Sequence, residues 1–131
     1  RDLHRVDRRQ RQDVYKRQIE RTSKNTGLIL NICLNYGSRD EIIKAINLAQ
    51  KDGREINSYE DLKEYFYNSY IPDPDLIIRT SGEERLSNFL LMQSAYSELY
   101  FTDKLWPDFH KEDFAEALEN FARRHRRYGG I

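Results

Sequence analysis

Little in this sequence points to covalent cross-linking or to a membrane. It has one cysteine, Cys33, so no disulfide can form within the chain. Cys33 lies in an apolar run and is expected to be a small buried hydrophobe in a reducing compartment. With three histidines (His4, His110 and His125) beside that cysteine, the chain lacks the ligand set of a zinc site. No apolar stretch approaches the roughly 20 residues needed to span a bilayer. Neither sign of charge is in excess: 22 Lys+Arg face 22 Asp+Glu, which argues against a general nucleic-acid binder. There is no Walker loop, no GxGxxG and no serine-hydrolase elbow. The apolar share, 38%, is thin for a globular domain. A partner chain or further residues are therefore expected to complete the core. The sequence opens on Arg1, and its one methionine is Met92, so a processed, cut or truncated chain is expected.

What is present divides near residue 18. Residues 1–18 hold seven Arg/Lys against three Asp, a balance of +4, and the remainder is correspondingly −4. The first segment has almost no apolar content, too little to offset the entropy of ordering it. It is expected to be a disordered or spurious basic tail, with residues 19–131 as the domain. A nucleic-acid-binding arm over residues 1–18 is the alternative, though Tyr15 is the one aromatic there.

The pattern beyond the tail alternates. Leu28–Leu34, LILNICL, is a short apolar run expected to be a buried strand ended by Gly37. Ser38 precedes Glu41 by three, a capping-box spacing, and Ile42, Ile43, Ile46 and Ala49 follow at helical intervals up to Gly53. Ser58 and Asp61 suggest a second cap, with Leu62, Tyr65 and Phe66 on one face. After Pro72 and Pro74, residues 75–79 (DLIIR) read as a second strand. Residues 86–97 read as a helix, 99–101 as a third strand and 111–127 as a helix with Phe114, Leu118, Phe121 and His125 on one stripe. This order implies an α/β fold, a parallel sheet flanked by helices.

Ligands of open parallel sheets bind beyond the carboxyl ends of the strands. The segment after residues 75–79 carries Arg79, Thr80, Ser81, Gly82, Arg85, Leu86 and Ser87. Guanidinium groups grip phosphate oxygens in bidentate fashion, and a following helix would offer free N–H groups. These are the parts of a diphosphate site, although Arg79 and Arg85 could equally be surface residues paired with Glu83 and Glu84. Glu98, an acid in an apolar aromatic stretch, is either a metal ligand or an exposed carboxylate at a helix end. Arg123 to Arg127 complement a helix dipole, or form a second anion-binding element with Tyr128 and Gly129.

The stretches NTGLILNICLNYGSRDEIIKAI, DPDLIIRTSGEERLSNFLLMQSAYSELYFTDKLWPDF and RRHRRYGG closely resemble the cis-prenyltransferase family, the bacterial undecaprenyl diphosphate synthases above all. The likeness runs from about Asn25 to Ile131. It implies that the chain is the incomplete C-terminal half of a cis-prenyltransferase domain. The family condenses isopentenyl diphosphate with an allylic diphosphate, such as farnesyl diphosphate, into long-chain cis-polyprenyl diphosphates. By this resemblance Arg79, Arg85 and Ser87, with the Leu86 backbone between them, hold the isopentenyl diphosphate head group. Glu98 would help to bind Mg²⁺, and Arg127 and Gly129 would reach the diphosphate of a neighbouring subunit. Asn35 and Gly37 match the family's NYG stretch. A cytoplasmic homodimer without nucleic acid is implied, associated peripherally with membrane through its lipid product. No counterpart of the family's HxxMDGNxRWA motif or FSxEN-type segment is found, so catalytic residues are expected outside this chain, which should be inactive alone. The alternative within the family is a non-catalytic partner subunit of a heteromeric enzyme.

Overall fold

The computed structural model describes residues 3–125, with side chains from residue 13 onward; Arg127 and Gly129 lie outside the described residues. The chain forms two units, Arg1–Leu34 and Asn35–Ile131.

The first unit opens on helix α1, Leu3–Thr22. Residues 1–18 are expected to be unstructured, yet α1 covers most of them. It contains neither glycine nor proline, and Arg, Gln, Lys and Glu propagate a helix at little cost. Its apolar residues Val14 and Ile19 are exposed, so α1 stands on local propensity more than on packing. The apolar run that follows is no strand. Leu28 and Leu30 are 91% and 77% exposed, and Cys33 is exposed where a buried position is expected. A strand satisfies its backbone only through neighbours, and the one sheet among the described residues has two strands, neither of them in this run.

In the second unit, helix α2 spans Ser38–Lys51 and buries Ser38, Glu41, Ala45 and Ala49. These lie three or four residues apart, one narrow stripe of small side chains and one acid. Ile43 and Ile46, expected on the inner face, are exposed. Helix α3, Tyr59–Lys63, has the expected capping box: Ser58 accepts from the Asp61 backbone, and the Asp61 carboxylate accepts from the Ser58 N–H. Ala45, Leu62 and Phe66 form the core, backed by Ile42, Ile56, Tyr59, Tyr65 and Met92.

Strands β1 (Leu76–Arg79) and β2 (Glu98–Phe101) pair in parallel, with Leu76 beside Glu98 and Arg79 beside Phe101. Both fall where the sequence places them. The connection between them, expected to be a helix over 86–97, is a series of turns. Ser87, Asn88 and Leu90 all have positive φ (48°, 64° and 45°), which no right-handed helix accommodates. A single 3₁₀ turn, Trp106–Asp108, leads into helix α4, Lys111–Ala122. Helix α4 buries Asp113 and Ala117 and leaves Phe114 and Leu118 largely exposed, one step round from the expected stripe. The fold is a small parallel sheet with helices. No helix among the described residues is long and apolar enough to cross a membrane.

Candidate functional site: a guanidinium–hydroxyl clasp

Arg79 is the last residue of β1, so its side chain stands at the carboxyl end of the sheet. One guanidinium nitrogen, Nη1, donates to Ser87 Oγ at 2.9 Å and also to the Arg85 carbonyl. These bonds fold residues 80–87 into a closed loop with a cation and a hydroxyl side by side. The loop is held at its base: the Ser81 N–H donates to the Lys104 carbonyl (2.7 Å) and the Gly82 N–H to the Thr102 carbonyl (3.0 Å). Ser81 and Gly82 both lie at positive φ, and a Cβ on Gly82 would press on Asp103 Oδ1 at 3.0 Å. Glycine is favoured there by conformation, and room for a Cβ is tight.

Arg85 points into solvent and pairs with Glu83. That is one of the two arrangements the spacing allows. An exposed pair of this kind is worth little and opens readily. Leu86 lies between Arg85 and Ser87, and its carbonyl accepts from the Phe89 N–H at 3.0 Å. The structure thus brings Arg79 to the Ser87 hydroxyl and the Arg85 carbonyl, while the Arg85 side chain stands apart on Glu83 and Leu86 joins the loop through its backbone.

Glu98 is not with them. It opens β2 beside Leu76, three residues from the Arg79 row, or about 10 Å along the strands. Its Oε2 accepts from Arg124 Nη1 at 2.7 Å. No group of three or more His, Cys, Asp or Glu side chains that could hold a metal ion occurs among the described residues. Magnesium takes one or two carboxylates plus substrate phosphates. Here the Glu98 carboxylate is engaged by the Arg124 guanidinium, and no step is drawn through the ion.

Several residues that shape the loop carry no signal in the sequence for that role. Glu41 is 3% exposed and serves as a hub, accepting from Tyr36 OH (2.6 Å), Gln93 Nε2 (2.9 Å) and the Tyr67 N–H (3.1 Å). The expected capping box at the start of α2 is absent, because Ser38 and Glu41 both turn inward. The N-cap is Gly37, and Ser38 Oγ accepts from the Leu91 N–H at 3.0 Å. Asn88 belongs to the same network, accepting from the Ser38 and Arg39 N–H groups.

The family model described as "Putative undecaprenyl diphosphate synthase" matches residues 2–129. The chain belongs to the cis-prenyltransferase family. The match takes in the amino-terminal segment as well, where the sequence reading starts the likeness near Asn25. Among curated members, the isoprenyl transferase of Fusobacterium nucleatum is 55% identical over 112 residues, 86% of this chain and 48% of that protein. The isoprenyl transferase of Thermotoga maritima is 53% identical over 116 residues, 86% of this chain and 50% of its own. The fold is shared with a probable undecaprenyl diphosphate synthase from Campylobacter jejuni, at a TM-score of 0.74 and 36% identity, over 85% of this chain and 52% of that one. It is shared also with lavandulyl diphosphate synthase from Lavandula x intermedia, solved with dimethylallyl diphosphate. There the TM-score is 0.83 and the identity 32%, over 91% of this chain and 54% of that one. The chain spans about half the length of the relatives it matches.

Proposed function

We propose that this chain holds the diphosphate of isopentenyl diphosphate for cis-polyprenyl elongation, with Arg79, Arg85 and Ser87 as the gripping side chains and the Leu86 backbone between them. The observation that carries the reading is the Arg79–Ser87 hydrogen bond at the carboxyl end of β1. A fixed guanidinium and an adjacent hydroxyl meet phosphate oxygens without reorganising, and Arg85 can leave Glu83 for a doubly charged ligand. The relatives 53% and 55% identical to this chain over most of its length are isoprenyl transferases.

The chain's own contribution to the reaction is to fix the donor and hold it in line. Ionisation of the allylic diphosphate needs groups that the described residues do not supply, so turnover by this chain alone is not expected. Glu98 can lend one carboxylate to a magnesium ion only if Arg124 releases it. Arg127 and Gly129, outside the described residues, are proposed to reach a second subunit's diphosphate in a cytoplasmic homodimer whose lipid product draws it to membrane.

Calorimetric titration with isopentenyl diphosphate tests the reading. Arg79→Ala should weaken binding at least about tenfold, since a hydrogen bond to a charged group is worth about 1.5–3 kcal/mol. Equal affinity in parent and variant would refute it. Condensation with farnesyl diphosphate, followed in parallel, should give no polymer from the chain alone.

A further inference from the structure

We infer that Asn88 is the positioning residue of the clasp: it caps helix α2 from across the fold and thereby holds Ser87 within reach of Arg79. This rests on the reading of Arg79 and Ser87 as the diphosphate grip.

The first N–H groups of a helix need partners from outside it. At α2 the local N-cap is Gly37, which has no side chain to give. The partner comes from 49 residues away: Asn88 Oδ1 accepts from the Arg39 N–H at 3.0 Å. The Asn88 main-chain oxygen accepts from the Ser38 N–H at 2.8 Å. One residue therefore satisfies two successive orphan donors. A capping side chain of this kind is worth about 1 kcal/mol when it is local. Here it also fixes a distant loop.

That loop needs fixing. Ser87 and Asn88 are consecutive residues at positive φ. Asparagine tolerates that region better than most residues, and serine does so less well. Such conformations persist only where the surroundings over-determine them. The surroundings do so on the Asn88 side. Beyond its two bonds, the neighbouring Phe89 ring meets Tyr36 edge-on (centroids 5.7 Å apart), the Leu91 N–H donates to Ser38 Oγ, and Gln93 donates to Glu41. Ser87 is the residue where this fastened segment ends and the clasp begins.

Gly37 gives an independent view of the same contact. Its φ is −147°, extended backbone that any residue adopts, so conformation does not call for glycine there. Space does: a Cβ at Gly37 would lie 2.8 Å from Asn88 Nδ2. The glycine of the NYG stretch leaves room for the remote cap.

The experiment uses the whole chain and inorganic pyrophosphate as the probe, with affinity by calorimetry and folding by circular dichroism. Asn88→Ala should lower affinity about tenfold or more. Asn88→Asp, which keeps the acceptor, should stay within about threefold when the comparison is made at raised salt. Leu62→Ala removes core volume without removing a hydrogen bond of the loop and reports what loss of stability alone does; its affinity should match the parent. Gly37→Ala, which displaces Asn88 without altering it, should repeat the Asn88→Ala loss, and it decides the matter if Asn88→Ala does not fold. The inference falls if Asn88→Ala or Gly37→Ala binds pyrophosphate as the parent does while Arg79→Ala loses it, or if Leu62→Ala loses as much as Asn88→Ala. A parent chain that takes up no pyrophosphate, or an Arg79→Ala variant that binds it undiminished, overturns the clasp itself.

Discussion

Arg124, just beyond α4, fastens itself to Glu98 at the start of β2. Its Nη1 donates to Glu98 Oε2 (2.7 Å) and to the Leu99 carbonyl (3.0 Å), while its Nε donates to Asn120 Oδ1 (3.0 Å). One guanidinium thus joins a helix end to a strand, across 26 residues of sequence. Losing one member of a partly buried charged pair strands the other, so the single changes should cost more than their combination suggests. Arg124→Met is expected to lower stability by about 1–3 kcal/mol. Adding Glu98→Gln should cost less than the sum of the two single changes, by about 1 kcal/mol in a urea double-mutant cycle. Strict additivity would show that the pair contributes nothing. With Arg124 gone, Glu98 is open to a divalent cation, and Mn²⁺ followed by water-proton relaxation should bind more tightly than in the parent.

Ser38 is fully buried, and its hydroxyl is the acceptor for the Leu91 N–H. Ser38→Ala preserves the helix and leaves that N–H without its partner. The expected loss is about 1–3 kcal/mol, read from thermal unfolding. A change within about 0.5 kcal/mol, the usual range of surface substitutions, would mean that another group takes the hydrogen bond.

Burial first, and then the hydrogen bond to Glu41, push the Tyr36 phenol up to about 12. The unfolded chain ionises the same group near about 10. Ionisation therefore favours the unfolded chain: the contribution of Tyr36 is level below about 10 and is lost as pH climbs towards 12. Tyr36→Phe should flatten this alkaline decline, although it sacrifices the bond to Glu41. Phenolate absorbance should show one fewer tyrosine titrating at high pH in the variant. An unchanged alkaline slope would refute the assignment.

On the acid side, Asp113 contributes. The Lys104 ammonium, and after it the His110 backbone N–H, hold this carboxyl below the usual range, and the same ion pair raises Lys104. A depressed carboxyl stabilises the fold above its unfolded value and loses that contribution as pH falls through the folded one. Asp113→Asn should therefore melt earlier at neutral pH. Its melting temperature should also fall less steeply below about pH 4. Parallel curves for parent and variant would rule this out.

The sequence carries the parts of this fold whose causes are local. β1 was legible in LIIR, a β-branched run placed after Pro74, and the Ser58–Asp61 cap in its spacing. Arg79 and Ser87 could be paired on paper because one loop carries both. What the pattern hides is decided at a distance. Residues 86–97 have helical composition, but Asn88 and Leu91 surrender their polar groups to α2, and that tertiary claim outweighs propensity. On α2, Ala49 is buried and Ile42 packs on the core where the pattern places them, but Ile43 and Ile46 are exposed and the centre of the face is Ala45, because close packing here favours the small side chain over the more hydrophobic one. Arg124 looked like one more cation in a basic run, since nothing near it in sequence names Glu98. α1 shows the converse: a segment with little to bury can still be helical where no residue interrupts it.

The exposed run Leu28–Leu34 has a consequence for handling the chain. Seven residues of high strand propensity, with no charge and no proline, form a segment able to stack on copies of itself through a cross-β ladder. A lysine in place of Leu30 is the gatekeeper expected to raise the concentration at which the chain stays dispersed.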